Sequence, residues 1–129
     1  GSEVAAIHAG WRGLLGGIIQ NTIRAMHSPA NNLMAWLGPA IGPTQFELND
    51  TIQSQFTSAW PATVKAFSTR QQAVYCGLHE LATTMLEALG VHRIYGEKRC
   101  TVNEKAHFYS YRRDGQTGRM ATLITIKPE

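Results

Sequence analysis

The residues best suited to chemistry in this 129-residue chain lie near its start, in Val4-Ala5-Ala6-Ile7-His8-Ala9-Gly10-Trp11-Arg12-Gly13. A short apolar run ends on His8, two glycines bracket Trp11-Arg12, and a periodic segment follows. Strand-to-turn-to-helix passages often carry binding groups, because the strand end is rigid and the helix mouth offers free N–H groups. An imidazole at that point can ligate zinc or copper, or carry a proton; it can equally close the strand through a structural hydrogen bond. Arg12 can hold a phosphate or carboxylate, or lay its stem over Trp11. Near the other end, Arg112 and Arg113 interleave with Tyr109 and Tyr111. Cations beside stacking rings suit single-stranded nucleic acid. The segment is short and isolated, so a turn whose arginines bind partners inside the fold is the preferred reading, with one of the two free to reach an anionic substrate group.

The other candidates are weaker. Cys76 and Cys100 form no CxxC, and His27, His79, His92 and His107 show no ligand spacing, so these histidines read as surface or capping residues. Gly38-Pro39-Ala40-Ile41-Gly42-Pro43 is a rigid loop without the Lys-Ser/Thr pair of a phosphate loop. Glu47 is the carboxylate nearest to it, with ordering of that loop as its expected task.

Four ordered blocks give the chain a resemblance. Ile7–Gly13, Trp36–Pro43 with Phe46-Glu47, Arg99-Cys100-Thr101, and Phe108–Asp114 with Thr117-Gly118-Arg119 together resemble the YfiH-type family. Its members are variously called laccase-domain proteins, multicopper polyphenol oxidases, purine nucleoside phosphorylases and peptidoglycan editing factors. The resemblance implies an α+β fold, a mixed β-sheet sandwich flanked by helices. It also implies that His8 is one of three metal-site residues, two His and one Cys, binding zinc or, alternatively, copper. Cys100 matches a family cysteine outside that set and is expected to be a buried structural thiol. The family's upstream His-Gly and Ala-Asp-Cys-type motifs are not in this sequence, and members are nearly twice as long. The chain is therefore expected to be an N-terminally truncated piece, residues 3–129 of one YfiH-like domain, with Gly1-Ser2 a tag scar. Where members carry Asp-Leu or Asp-Ile entering the long helix, this chain has Cys76-Gly77-Leu78.

By the same resemblance the parent is a zinc-dependent purine nucleoside phosphorylase acting on adenosine or inosine, with phosphate as co-substrate. His8 sits at its metal and catalytic site; Arg12, Arg112 and Arg113 are candidate anion binders. The piece alone is expected to be inactive. The alternatives are a copper-dependent polyphenol oxidase and a peptidoglycan-precursor editing hydrolase in which His8 partners an upstream cysteine. A reading of another class is a non-catalytic folding module that self-associates as a homo-oligomer through surface left bare by missing strands.

Composition bounds these readings. A 43% hydrophobic content suits one domain with a real core. The net charge of +3 is spread out, with no basic run beyond Arg112-Arg113, which argues against a nucleic-acid partner. No stretch approaches the roughly 20 apolar residues that span a bilayer, and no leader pattern is present. Two cysteines point to a reducing compartment and a cytoplasmic location.

The elements that must position these groups follow from periodicity. Residues 3–8 read as a strand apolar on both faces, hence central in its sheet. Residues 14–26 read as one helix on the stripe Leu14, Leu15, Ile18, Ile19, Ile23 and Met26. Leu33–Leu37 reads as a strand and Phe46–Leu48 as a short one. Asn49 caps a helix over 50–59, and 61–75 reads as a partly helical connection. Residues 78–89 form a helix ended by Gly90, and Val91–Tyr95 a strand. Residues 103–109 read as a turn or short helical segment, and 118–126 as a closing strand with Met120, Thr122, Ile124 and Ile126 on one face.

Overall fold

The structure, a computed structural model, describes residues 2–127. Gly1, half of the expected tag scar, lies outside them. The architecture is α+β with one parallel and one antiparallel sheet and helices packed on a shared core. Residues 3–8, expected as a central strand, pair with no strand among the described residues and are mostly exposed. The apolar pattern marks a segment fit for a sheet, but a strand also needs a neighbour to receive its hydrogen bonds.

The single helix expected over 14–26 is two helices, α1 (Trp11–Leu15) and α2 (Ile18–Ala25). Gly16 and Gly17 divide them, and Gly17 takes φ +86°, a left-handed conformation that ends one helical path and starts another. The periodic stripe survives the break, since Leu14 and Ile19 are both buried. Strand β1 (Met34–Leu37) follows, then β2 (Glu47–Leu48) and α3 (Asp50–Ala59). Asn49 caps α3 as its side-chain type requires, its Oδ1 accepting from the Ile52 amide at 2.9 Å.

The connection over 61–75 is richer than periodicity suggests. A 3-10 helix, Pro61–Ala66, leads into a hairpin of β3 (Phe67–Arg70) and β4 (Ala73–Cys76). Helix α4 (Leu78–Ala88) is the long amphipathic element, burying Leu81, Ala82, Met85 and Leu86, and it stops at Gly90. Strand β5 (Arg93–Gly96) then pairs in parallel with β1, while β2, β4 and β3 form the antiparallel sheet. Residues 103–109 are turns, and a single helical turn, α5 (Tyr111–Asp114), follows with Ser110 as its cap. The closing strand expected over 118–126 is absent: that stretch is exposed and unpaired among the described residues.

Phe56, Leu14, Leu81 and Met85 are fully enclosed at the centre. Each such side chain contributes about 1.5–3 kcal/mol by leaving water. They join α1, α3 and α4 into one core, against which Trp11, Ala35, Leu37 and Ile94 also pack. The inner faces of β1 and β5 are thereby covered, and the passage from His8 to Arg12 is anchored through Trp11.

Candidate functional site

His8 is exposed immediately before α1. Its ring lies over Gly10 so closely that a Cβ there would sit 3.3 Å from Nε2, and its carbonyl faces Gly13. The two glycines thus let the chain fold tightly around the histidine. Gly10 begins α1 with its carbonyl accepting from the Leu14 amide at 2.9 Å. Arg12 is exposed on the same turn, its guanidinium stacked 4.4 Å from the centre of the Trp11 ring. Trp11 is half-buried against the core, so it serves as a fixed platform that holds a cation outward.

The Gly38–Pro43 loop is tied down on several sides. Ala40 forms a parallel bridge to Cys100, its amide donating to the Arg99 carbonyl and its carbonyl accepting from the Thr101 amide. Gly42 is buried, and its amide donates to Cys100 Sγ at 3.1 Å. His79, on α4, donates from Nε2 to the Gly38 carbonyl at 2.8 Å, and Arg70 donates to the Pro43 carbonyl at 3.1 Å. Cys100 is half-buried rather than sealed, and its sulfur is an acceptor for the loop.

The carboxylate that orders this region is Glu104. It accepts from Arg99 Nε at 2.8 Å and Nη2 at 2.5 Å, and from the Cys100 amide at 2.9 Å. Arg99 lies above the Phe108 ring, and its hydrogen bonds hold the Glu104 carboxyl below its ordinary range. Glu47, expected in that task, is exposed on β2, and its side chain makes no hydrogen bond among the described residues. Glu104 stands in a polar stretch without periodicity, so nothing in the sequence marks it out.

The two neighbouring arginines separate cleanly. Arg113 donates to the carbonyls of Thr101, Val102 and Phe108 and to both oxygens of Asp114. Those five contacts use all five guanidinium N–H groups. Arg113, expected as a substrate binder, thus has every guanidinium donor engaged within the chain. Arg112 is exposed, lies 5.4 Å from the centre of the Phe46 ring, and has no ion pair among the described residues. A third tie involves Glu3, whose carboxylate accepts from the amides of Ser28 at 2.6 Å and His27 at 2.9 Å, pinning the N-terminal stretch to the end of α2.

The arrangement therefore offers an exposed imidazole, two platform-mounted cations and a clamped loop. It does not compose a metal site: no three His, Cys, Asp or Glu side chains converge among the described residues, while a catalytic zinc takes three protein ligands. His8 supplies one donor of the three that such a site takes. An open groove of about 660 Å³ between residues 2–7 and α2 includes neither His8 nor Arg12. Among the described residues no helix is long and apolar enough to cross a membrane.

A family model described as multi-copper polyphenol oxidoreductase laccase matches residues 1–127. The Shigella flexneri protein named purine nucleoside phosphorylase YfiH is 42% identical over 126 residues, 98% of this chain and 52% of that protein. A crystal structure of a Neisseria meningitidis protein superposes with a TM-score of 0.79 at 44% identity, covering 84% of this chain and 45% of that one. YlmD from Geobacillus stearothermophilus gives a TM-score of 0.75 at 32% identity, covering 84% and 43%. The chain spans about half the length of the curated relatives it matches.

Proposed function

Because the chain belongs to the multi-copper polyphenol oxidoreductase laccase family, within which it is similar to YfiH proteins, we propose that it forms part of a cytoplasmic purine nucleoside phosphorylase acting on adenosine or inosine. In that reaction a phosphate oxygen attacks C1′ of the ribose and the bond from C1′ to the base nitrogen breaks. The electron pair leaves with the base, which takes up a proton, and ribose 1-phosphate remains. Arg12 on its tryptophan platform holds the phosphate, and Arg112 above Phe46 is the second exposed cation for an anionic group. His8 stands at the reacting end, as a proton donor to the departing base or as one ligand of a zinc or copper ion whose other ligands lie outside this chain.

The observation supporting this reading is the 42% identity, over 98% of the chain, to a relative named for that activity. The described residues carry only part of such a site, and the 129-residue chain alone is expected to give no turnover. The test joins the half of the Shigella flexneri relative that lies outside the match to residues 3–129. The joined protein is expected to release hypoxanthine from inosine only when phosphate is present. His8→Ala is expected to lower kcat/KM by roughly 10²–10⁴-fold, the usual scale for losing a positioned proton-transfer group. Arg12→Ala is expected to act mainly on the KM for phosphate. Unchanged turnover in His8→Ala, or release that does not require phosphate, refutes the proposal.

A further inference from the structure

One concavity, lined by neither His8 nor Arg12, joins stacking surface to an open cationic edge. It is a slot of about 290 Å³ between Tyr109, Tyr111 and residues 117–120. Its size, at the foot of the range for small-molecule sites, suits a single ring with its substituent. Tyr109 lies against Gly118, where a Cβ would come within 2.7 Å of the ring, so a side chain there would push the tyrosine out of place. Tyr111 opens α5, which Ser110 caps and which the bonds from Arg113 to the carbonyls of residues 101, 102 and 108 hold down. Two rings thus stand on anchored backbone while staying exposed, Tyr109 at 55% and Tyr111 at 72%. Arg119 supplies the charge. Its Nη1 donates to the carbonyls of Thr117 at 2.9 Å and Gly118 at 3.1 Å, which ties one side of the guanidinium to its own backbone. Nε and Nη2 make no hydrogen bond among the described residues, and no Asp or Glu among them lines the slot. That free edge carries two parallel N–H groups, the fork that grips a carboxylate in bidentate fashion.

We propose that this slot is a binding site for a flat ring bearing a carboxylate, separate from the groups assigned to phosphorolysis above. The ring stacks on the tyrosines, with Met120 as a soft contact at its edge, and the carboxylate meets the Nε–Nη2 edge of Arg119. A carboxylate conjugated to a ring lies in the plane of that ring, so one rigid molecule makes both contacts without bending. Inorganic phosphate can pair with the guanidinium but leaves the rings wet. A neutral base stacks but leaves the cation unpaired. Charge and stacking together select the aromatic carboxylate.

The test titrates the isotope-labelled 129-residue chain with benzoate and follows the Arg119 Nε–H signal and the backbone amides by NMR. Saturable shifts are expected at Arg119 Nε–H and at the amides of residues 109, 111 and 117–120. Acetate, which lacks the ring, and benzamide, which lacks the charge, are each expected to bind about tenfold more weakly. Arg119→Lys keeps the charge and removes the fork, Tyr111→Ala removes an exposed ring, and Gly118→Ala displaces Tyr109. Each is expected to weaken benzoate binding about tenfold, the first two with unchanged melting. Inosine carries no carboxylate and is expected to leave benzoate bound. The inference is overturned if benzoate shifts none of these signals, if acetate or inorganic phosphate binds as tightly, or if any of the three variants binds like the parent. Displacement by inosine equally overturns it, by assigning the slot to the nucleoside. Binding is read without turnover, so failure of the phosphorylase reading leaves this one standing.

Discussion

The β3–β4 hairpin turns through Gln71 and Gln72, with Arg70 and Ala73 as the last facing pair. Both turn residues have positive φ, 49° and 64°. Two-residue hairpin loops of this hand match the twist of the strands but favour Asn-Gly or Gly-Gly. A side chain in the left-handed region costs about 1–2 kcal/mol per residue, whereas glycine gives back roughly 0.5–1 kcal/mol through its freer unfolded chain. Gln72→Gly is therefore expected to stabilise the protein by ~0.5–1 kcal/mol. For a domain of this size that raises the Tm by about 2–5 °C. Gln72→Val, which adds branching where the backbone tolerates it least, is expected to destabilise by ~1 kcal/mol or more. Thermal melts followed by circular dichroism, with urea titration to confirm unchanged slopes, measure both. Should the glycine variant melt lower than the parent, the turn does not have the hand described. The hairpin matters beyond stability, since β4 pairs with β2, which follows the Phe46 platform beneath Arg112.

Burial pushes the Cys76 thiol up to about 12, whereas Cys100 is half-buried, so iodoacetamide at pH 8 is expected to add one group, at Cys100, to the native chain and two after unfolding; intact mass counts them. Hydrogen bonds from Ser28, and then His27, push the Glu3 carboxyl from 4.5 down to about 2. With the folded value below the unfolded one, that tie stabilises the fold fully above pH 4.5 and fades as pH falls toward 2. Exchange of the His27 and Ser28 amides is expected to quicken over that window, and Glu3→Gln to flatten the dependence. Gly96 has φ +132°, and a Cβ there would lie 2.2 Å from the Leu37 carbonyl oxygen, so Gly96→Ala is expected to cost more than ~2 kcal/mol in urea titration by parting β5 from β1.

Elements whose cause is local were legible in the sequence. Asn49 announces α3, the apolar stripe and Gly90 delimit α4, and short apolar runs mark β1 and β5. Where the cause is a partner, local pattern does not carry it. Alternation in 118–126 reports which residues can share a face, and says nothing of whether a neighbouring strand exists. Gln71-Gln72 carries no turn signal for the hairpin, and the apolar spacing runs on through Gly16-Gly17 across the helix break. The site divides the same way. His8 and Arg12 stand out by type and by the glycines around them, but no sequence rule tells Arg112 from Arg113. Which of them turns inward is fixed by α5 and the carbonyls of 101, 102 and 108.

The clamped Gly38–Pro43 segment has a kinetic consequence. Its anchors come from α4, from β3 and from the 99–101 stretch. A ligand docking at this edge would meet a wall already shaped, so encounter rather than rearrangement would govern how fast it settled, and little ordering entropy would be lost there.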